Sequence, residues 1–364
     1  MNLMLFLQGL IQIVLSLITG VFIFFMSFKV FSLVTRDIDE LAELKSNNIA
    51  VSIVGTSFVF AIMLIVKTAI SPAMDTLTFS FNVQHISVAT IFYSIIRIII
   101  FYIISAVFAF LILWLAIKLF LILTTEMDEM EEIKNNNIAI SIVMGTLIIS
   151  LALVLKEPLT TLLSGLVTSP VIEESGLQPQ LINLTIFLQG LIELALSIIG
   201  SIMVFFLSFK VLNILTKEVD EIAQLKKNNI SVALLLSSFV FSIMILVRAT
   251  LIPAYEVLGF TLSSTNSTNF MIFFAVLRIT LFFVLSSFIS FVVIWIAMKG
   301  FMFLTKGIDE MKEIANNNIA VAIIVAILVI SASMLLESGL TALLNGLIKA
   351  PDIGKGLLDI SNIK

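Results

Sequence analysis

The chain has 364 residues, 60% of them hydrophobic and 12% charged, and a mean hydropathy of +1.19. A soluble domain of this length cannot enclose so much apolar surface, whereas a bilayer can. A net charge of −4 gives no reason to expect nucleic acid as a partner, and the absence of cysteine excludes disulfides, thiolate metal sites and thiol catalysis.

The uncharged run from Leu3 to Phe28 follows no positive charge and is far longer than the apolar region of a signal peptide. It reads as a first membrane span, ending at Lys29. A short charged segment follows, with Ile38, Leu41 and Leu44 about a turn apart, the pattern of a small amphipathic helix at the membrane surface. Asp39 stands where it would cap that helix. Asn47 and Asn48 stand where a second apolar helix begins, and asparagine caps helix starts well because its side chain accepts an unpaired N–H.

The same order of elements then recurs. Thr35, Asp39, Glu40, Asn47, Asn48 and Ile49 match Thr124, Asp128, Glu129, Asn136, Asn137 and Ile138, an offset of 89. The pattern returns at Thr216, Asp220, Glu221, Asn228, Asn229, Ile230 and at Thr305, Asp309, Glu310, Asn317, Asn318, Ile319. On a larger scale, Phe6 to Ile11 recurs as Phe187 to Ile192, an offset of 181. The chain thus reads as a duplicated half, each half made of two units: 1–83, 84–180, 181–265 and 266–364. The expected fold is an all-α integral membrane protein of eight transmembrane helices, formed by four parallel two-helix repeats.

Charge spacing supports eight crossings. Twenty positions separate Gln8 from Lys29, Arg97 from Lys118, Gln189 from Lys210 and Arg278 from Lys299. At about 1.5 Å per residue this is roughly 30 Å, the thickness of the hydrocarbon core. The four lysines and the two arginines therefore read as interface anchors, with lipid-headgroup binding as the sharper alternative. The second helices run from Asn48, Asn137, Asn229 and Asn318 to Lys67, Lys156, Arg248 and Glu337. Inside these eight intervals stands one ionisable residue, Glu193, an intramembrane candidate that is also near enough to a helix end to reach water.

The pairs Asp39-Glu40, Asp128-Glu129, Asp220-Glu221 and Asp309-Glu310 carry the most distinctive chemistry. Grouped around one axis they would form a cation-binding collar; otherwise they are capped, solvated surface helices. The single histidine, His85, supports no transition-metal site.

Twelve of the twenty Lys and Arg residues fall on the signature side. The positive-inside rule then puts the signature in the cytoplasm and both termini outside. The opposite segments hold all six prolines: Pro72, Pro158, Pro170, Pro179, Pro253 and Pro351. They also hold two glycosylation triplets, at Asn183 and Asn266, and the duplicated segments Leu159–Leu166 and Leu340–Leu347, read as short interfacial helices.

The string Glu132-Ile133-Lys134-Asn135-Asn136-Asn137-Ile138-Ala139, followed by a helix of small and branched residues, resembles the YjfL-type proteins, small prokaryotic membrane proteins classed as domain of unknown function 350. Taken as four tandem units, the resemblance spans essentially the whole chain. It departs at Ala315, where the other units have Lys45, Lys134 and Lys226. It implies a helical protein of a prokaryotic plasma membrane and no particular activity.

No catalytic constellation, metal-ligand spacing or phosphate loop is present, so no enzymatic function and no cofactor is expected. Two functions stand open. One is a self-associating scaffold, with a lipid bilayer around it, copies of itself and a cytoplasmic or membrane protein as partners. Small residues (Gly20, Ser27, Gly200, Ser208, Ser237, Ser238, Ser286 and Ser287) would let its helices pack closely. The other is a cation-selective channel or small-solute pore with the Asp-Glu pairs at its inner mouth.

Overall fold

The computed structural model describes residues 3–35, 38–68, 88–123, 128–166, 171–173, 176–178, 183–216, 220–264, 268–305 and 307–347. Long runs of Leu, Ile, Phe and Val with almost no internal proline form the long helices, and charged six-residue helices separate them in pairs. In chain order these are α1 (Leu3–Val34), α2 (Glu40–Lys45), α3 (Ile49–Lys67), α4 (Val88–Leu123), α5 (Glu129–Lys134) and α6 (Ile138–Leu166). A two-stranded antiparallel ribbon of β1 (Val171–Glu173) and β2 (Gly176–Gln178) follows. The second half holds α7 (Leu184–Thr216), α8 (Glu221–Lys226), α9 (Ile230–Ser263), α10 (Asn269–Leu304), α11 (Glu310–Ala315) and α12 (Ile319–Leu347). Among the described residues, eight helices are long and apolar enough to cross a membrane.

The helices that follow the asparagine pairs form a row: α3 packs on α6, α6 on α9 and α9 on α12. The preceding helices lie against this row in its grooves. Helix α4 touches both α3 and α6, α7 touches α6 and α9, and α10 touches α9 and α12, while α1 packs on α3. The middle of the row is the core. Buried positions make up 83% of the α9 span and 72% of α6, but 50% of α3 and 28% of α12, so the row has two open ends.

Two expectations about the outer ends are corrected. Pro158 and Pro253 lie inside α6 and α9, and Leu159–Leu166 is the last part of α6 rather than a separate surface helix. Likewise Leu340–Leu347 continues α12. Helix α9, at 34 residues, is about 50 Å long, well beyond a hydrocarbon core. Proline is tolerated there because packed neighbours hold the helix on both sides of it. The other four prolines lie outside the described residues.

Small residues set the closest approaches. A Cβ built on Gly190 of α7 would stand 2.4 Å from the Leu162 backbone of α6, and one on Gly165 of α6 would stand 2.3 Å from the Phe187 nitrogen of α7. The Asn183 N–H donates to the Gly165 carbonyl at 2.8 Å, fastening this crossing between the halves. Gly200 meets the Phe283 ring in the same way, and Ser27, Ser208, Ser237, Ser238, Ser286 and Ser287 are all buried. Gly20 departs from the expectation, with nothing within 4 Å of its Cβ direction.

The duplicated glycines give a test. Gly9, the counterpart of Gly190, has open space around it. Gly190→Ala is expected to cost about 1–3 kcal/mol by overpacking, whereas Gly9→Ala is neutral or slightly stabilising by helix propensity. Thermal midpoints in detergent decide it, and equal effects of the two changes would refute the assigned crossing.

Candidate functional site

The four acidic and asparagine signatures form one recurring device. In each, the Asp side chain caps the short helix: Asp39 accepts from the Ala42 N–H at 3.1 Å, Asp128 from Glu131 at 3.1 Å, Asp220 from Ala223 at 3.0 Å and Asp309 from Lys312 at 3.2 Å. The helix then stops on the first asparagine, which takes the left-handed conformation: φ is 63° at Asn47, 62° at Asn136, 57° at Asn228 and 62° at Asn317. The backbone N–H groups of the two asparagines bond back to the last turn, as in Asn136 to Ile133 at 3.1 Å and Asn137 to Glu132 at 2.9 Å. This is the Schellman ending, in which asparagine replaces the usual glycine.

The second asparagine closes one helix and opens the next. Its side-chain oxygen accepts the third N–H of the following helix, at 3.0 Å for Asn48 to Val51, 3.1 Å for Asn137 to Ile140, 3.1 Å for Asn229 to Val232 and 3.4 Å for Asn318 to Val321. Its side-chain amide donates to the side chain five residues earlier, namely Glu43, Glu132, Gln224 or Glu313.

These residues also join neighbours. The Asn48 amide donates to the carbonyls of Ile133 and Lys134 at 3.2 and 3.0 Å, and the Asn136 side chain accepts in return from the Ala50 N–H at 3.1 Å. Asn137 reaches Leu225 and Lys226, while Asn228 receives the Ala139 N–H at 2.9 Å. Asn229 reaches Ile314 and Ala315, while Asn317 receives the Ser231 N–H at 3.1 Å. Each joint thus satisfies helix-end groups that would otherwise lack partners.

The glutamates turn inward. Glu129, Glu221 and Glu310 are buried, and the hydroxyls of Thr35 and Thr305 donate to Glu40 and Glu310. The acidic pairs are therefore occupied in building their own turns. Among the described residues, no group of three or more His, Asp or Glu side chains could hold a metal ion. The lysines Lys29, Lys118, Lys210 and Lys299 are exposed and Arg278 is half-buried. The Arg97 side chain, His85 and Asn266 lie outside the described residues, and Asn183 caps α7 by accepting from the Ile186 N–H at 3.2 Å.

A second polar group lies at the ends of the long helices remote from the signatures. Glu193 is fully buried rather than extended to water, because α6 and α9 continue past their prolines and cover it. Its Oε1 accepts from the Gln189 amide at 2.7 Å; the Thr161 hydroxyl of α6 stands beside the carboxyl group, but Oε2 has no partner in hydrogen-bond geometry among the described residues. One turn further along α7, Ser197 shares a short hydrogen bond with the Tyr255 hydroxyl of α9. Gly259 leaves room for Gln189, since a Cβ there would stand 2.7 Å from its amide nitrogen. Nearby, Arg248 pairs with Glu157 at 3.0 Å and Lys156 approaches Glu157 at 3.7 Å. Charge spacing ends this span at Arg248 and so leaves Tyr255 in an outer segment; the helix continues instead, and seven residues, two turns, from Arg248 to Tyr255 put them on one face.

Two tests address the signature. Asn136→Gly keeps the left-handed turn and removes only the acceptor for Ala50, an expected loss of about 1–3 kcal/mol; Asn136→Ala adds the left-handed backbone cost of about 1–2 kcal/mol. Equal losses in chemical denaturation would refute the turn's role. For Glu129, burial lifts the carboxyl from 4.5 to about 7, with the Asp128 charge adding to the lift and its own backbone N–H opposing it. The folded protein thus holds that proton more tightly than the unfolded chain, so this contribution is fullest at acid pH and is lost as pH rises through about 7. Glu129→Gln is expected to stabilise more at pH 8 than at pH 5, and a pH-independent effect would contradict the assignment.

The family model for Domain of Unknown Function (DUF350) matches residues 4–109, 95–173 and 185–340. These matches cover most of the chain, leaving 174–184, where the two halves join, and the two ends outside them. No curated protein and no solved structure matches. The chain belongs to the domain of unknown function 350 family.

Proposed function

We propose that this family member is a non-enzymatic membrane scaffold of eight spans, built from four parallel two-helix repeats. Its short acidic helices face the cytoplasm of a prokaryotic cell and meet a protein partner there. The observation that carries this reading is the use of the signature residues. Each Asp caps a helix, and the paired asparagines bond one unit to the next. Residues engaged in this way support a rigid assembly rather than a site of turnover. The orientation rests on the excess of Lys and Arg on the signature side.

Four of the buried serines favour the same reading. Ser27, Ser208, Ser287 and Ser333 each donate to a carbonyl one turn back on their own helix, which leaves them as packing surface. A cation pore is the second reading, favoured by the buried Glu193 carboxylate with one oxygen unpartnered.

Reconstitution of the purified protein in a planar bilayer with monovalent salts separates the two. The scaffold predicts a silent membrane once insertion is verified. Discrete current steps that change on Glu193→Gln, or on neutralising Asp39, Asp128, Asp220 and Asp309, would overturn it in favour of the pore.

A further inference from the structure

The joint that links neighbouring units occurs three times, and its two halves stand unused at opposite ends of the row. At the α12 end, the Asn318 amide bonds, among the described residues, only to Glu313 within its own turn, at 2.7 Å. Its counterparts Asn48, Asn137 and Asn229 each reach two carbonyls of the next short helix as well. Among the described residues the Ala320 N–H has no side-chain acceptor, whereas the equivalent groups of Ala50, Ala139 and Ser231 each have one. At the α2 end, the Asn47 side chain makes no hydrogen bond to any described residue, although it holds the same left-handed turn as Asn136, Asn228 and Asn317.

Burial tells the same story independently. Leu44 of α2 is 39% exposed, while its counterparts Ile133, Leu225 and Ile314 are 1%, 0% and 2% exposed, each covered by the preceding unit. Ala320 is exposed, whereas Ala50, Ala139 and Ser231 are fully buried by the following unit. The long helices agree. Helices α4, α7 and α10 each sit between two members of the row, whereas α1, among the described residues, packs mainly on α3.

We propose that a second copy of this chain completes the joint. The Asn318 amide of one copy donates to the Leu44 and Lys45 carbonyls of the next. Asn47 of that next copy accepts the Ala320 N–H, and its α1 enters the groove beside α12. The surface is a direct continuation of the interface already present three times within the chain. Such a contact joins two different faces, so copies add head to tail and form a closed ring where the rotation permits. The inference rests on the scaffold reading for its role, but not for its geometry.

The test is the particle mass of the full-length protein in detergent and in lipid nanodiscs across a dilution series. The parent is expected as a multiple of the single-chain mass. Asn47→Gly keeps the turn, and Ala320→Glu places a favourable charge in the first turn of α12. Both are therefore expected to leave the thermal midpoint of the single chain unchanged. Each should raise the concentration of half-dissociation at least tenfold. A parent that is monomeric throughout the series, or an oligomer that neither variant weakens, would overturn the proposal. A monomer removes the self-association of the scaffold but leaves its presentation of the acidic helices to a partner standing, whereas current steps in the planar bilayer would remove the scaffold reading without touching the joint.

Discussion

Every helix that begins in or near an apolar medium exposes N–H groups with no carbonyl behind them, and every helix that ends there leaves carbonyls without donors. In this protein a short helix ends, and a long one begins, within three residues, so both problems fall in one place. The asparagine pair meets both. A left-handed residue reverses the chain, and asparagine adopts that conformation at lower cost than most residues while adding a carbonyl and an amide that glycine lacks. At three positions that extra carbonyl is bonded to a neighbouring helix.

The position of the acidic residues follows from this turn. Asp is fixed at the start of the short helix because its oxygen caps the N–H three residues on. Glu comes next and faces the preceding long helix, where a threonine hydroxyl one segment earlier meets it. The spacing between threonine, the acidic pair and the asparagines is thus the spacing of one folded corner. Charge that looks available for ligand binding in the linear chain is engaged in holding that corner together.

The two halves share the corner but differ in the long helices. Gln12 of the first half is exposed, whereas Glu193 at the matching position is buried between α6 and α9. The difference follows from place in the row, since α7 lies between two long neighbours and α1 packs on only one. A carboxylate is retained there with an amide, a serine and a tyrosine around it. Gln189 partners one of its oxygens and the other lacks a hydrogen bond among the described residues, an arrangement that costs stability.

The sequence by itself determined the helical class, the eight apolar stretches, the fourfold signature and a capping role for Asp and for the asparagine pair. These depend on periodicity and on bonds between residues three to five positions apart, which a linear chain displays directly. It did not reveal that the first asparagine bonds to the neighbouring unit, because Asn136 and Ala50 are 86 positions apart and nothing in either residue names the other. Nor did it place Glu193, since the prolines that signal a helix end in isolation are carried through when neighbours pack on both sides. Helix ends and caps are local matters, whereas which helices become neighbours, and so which buried groups find partners, is decided only when the whole row is assembled.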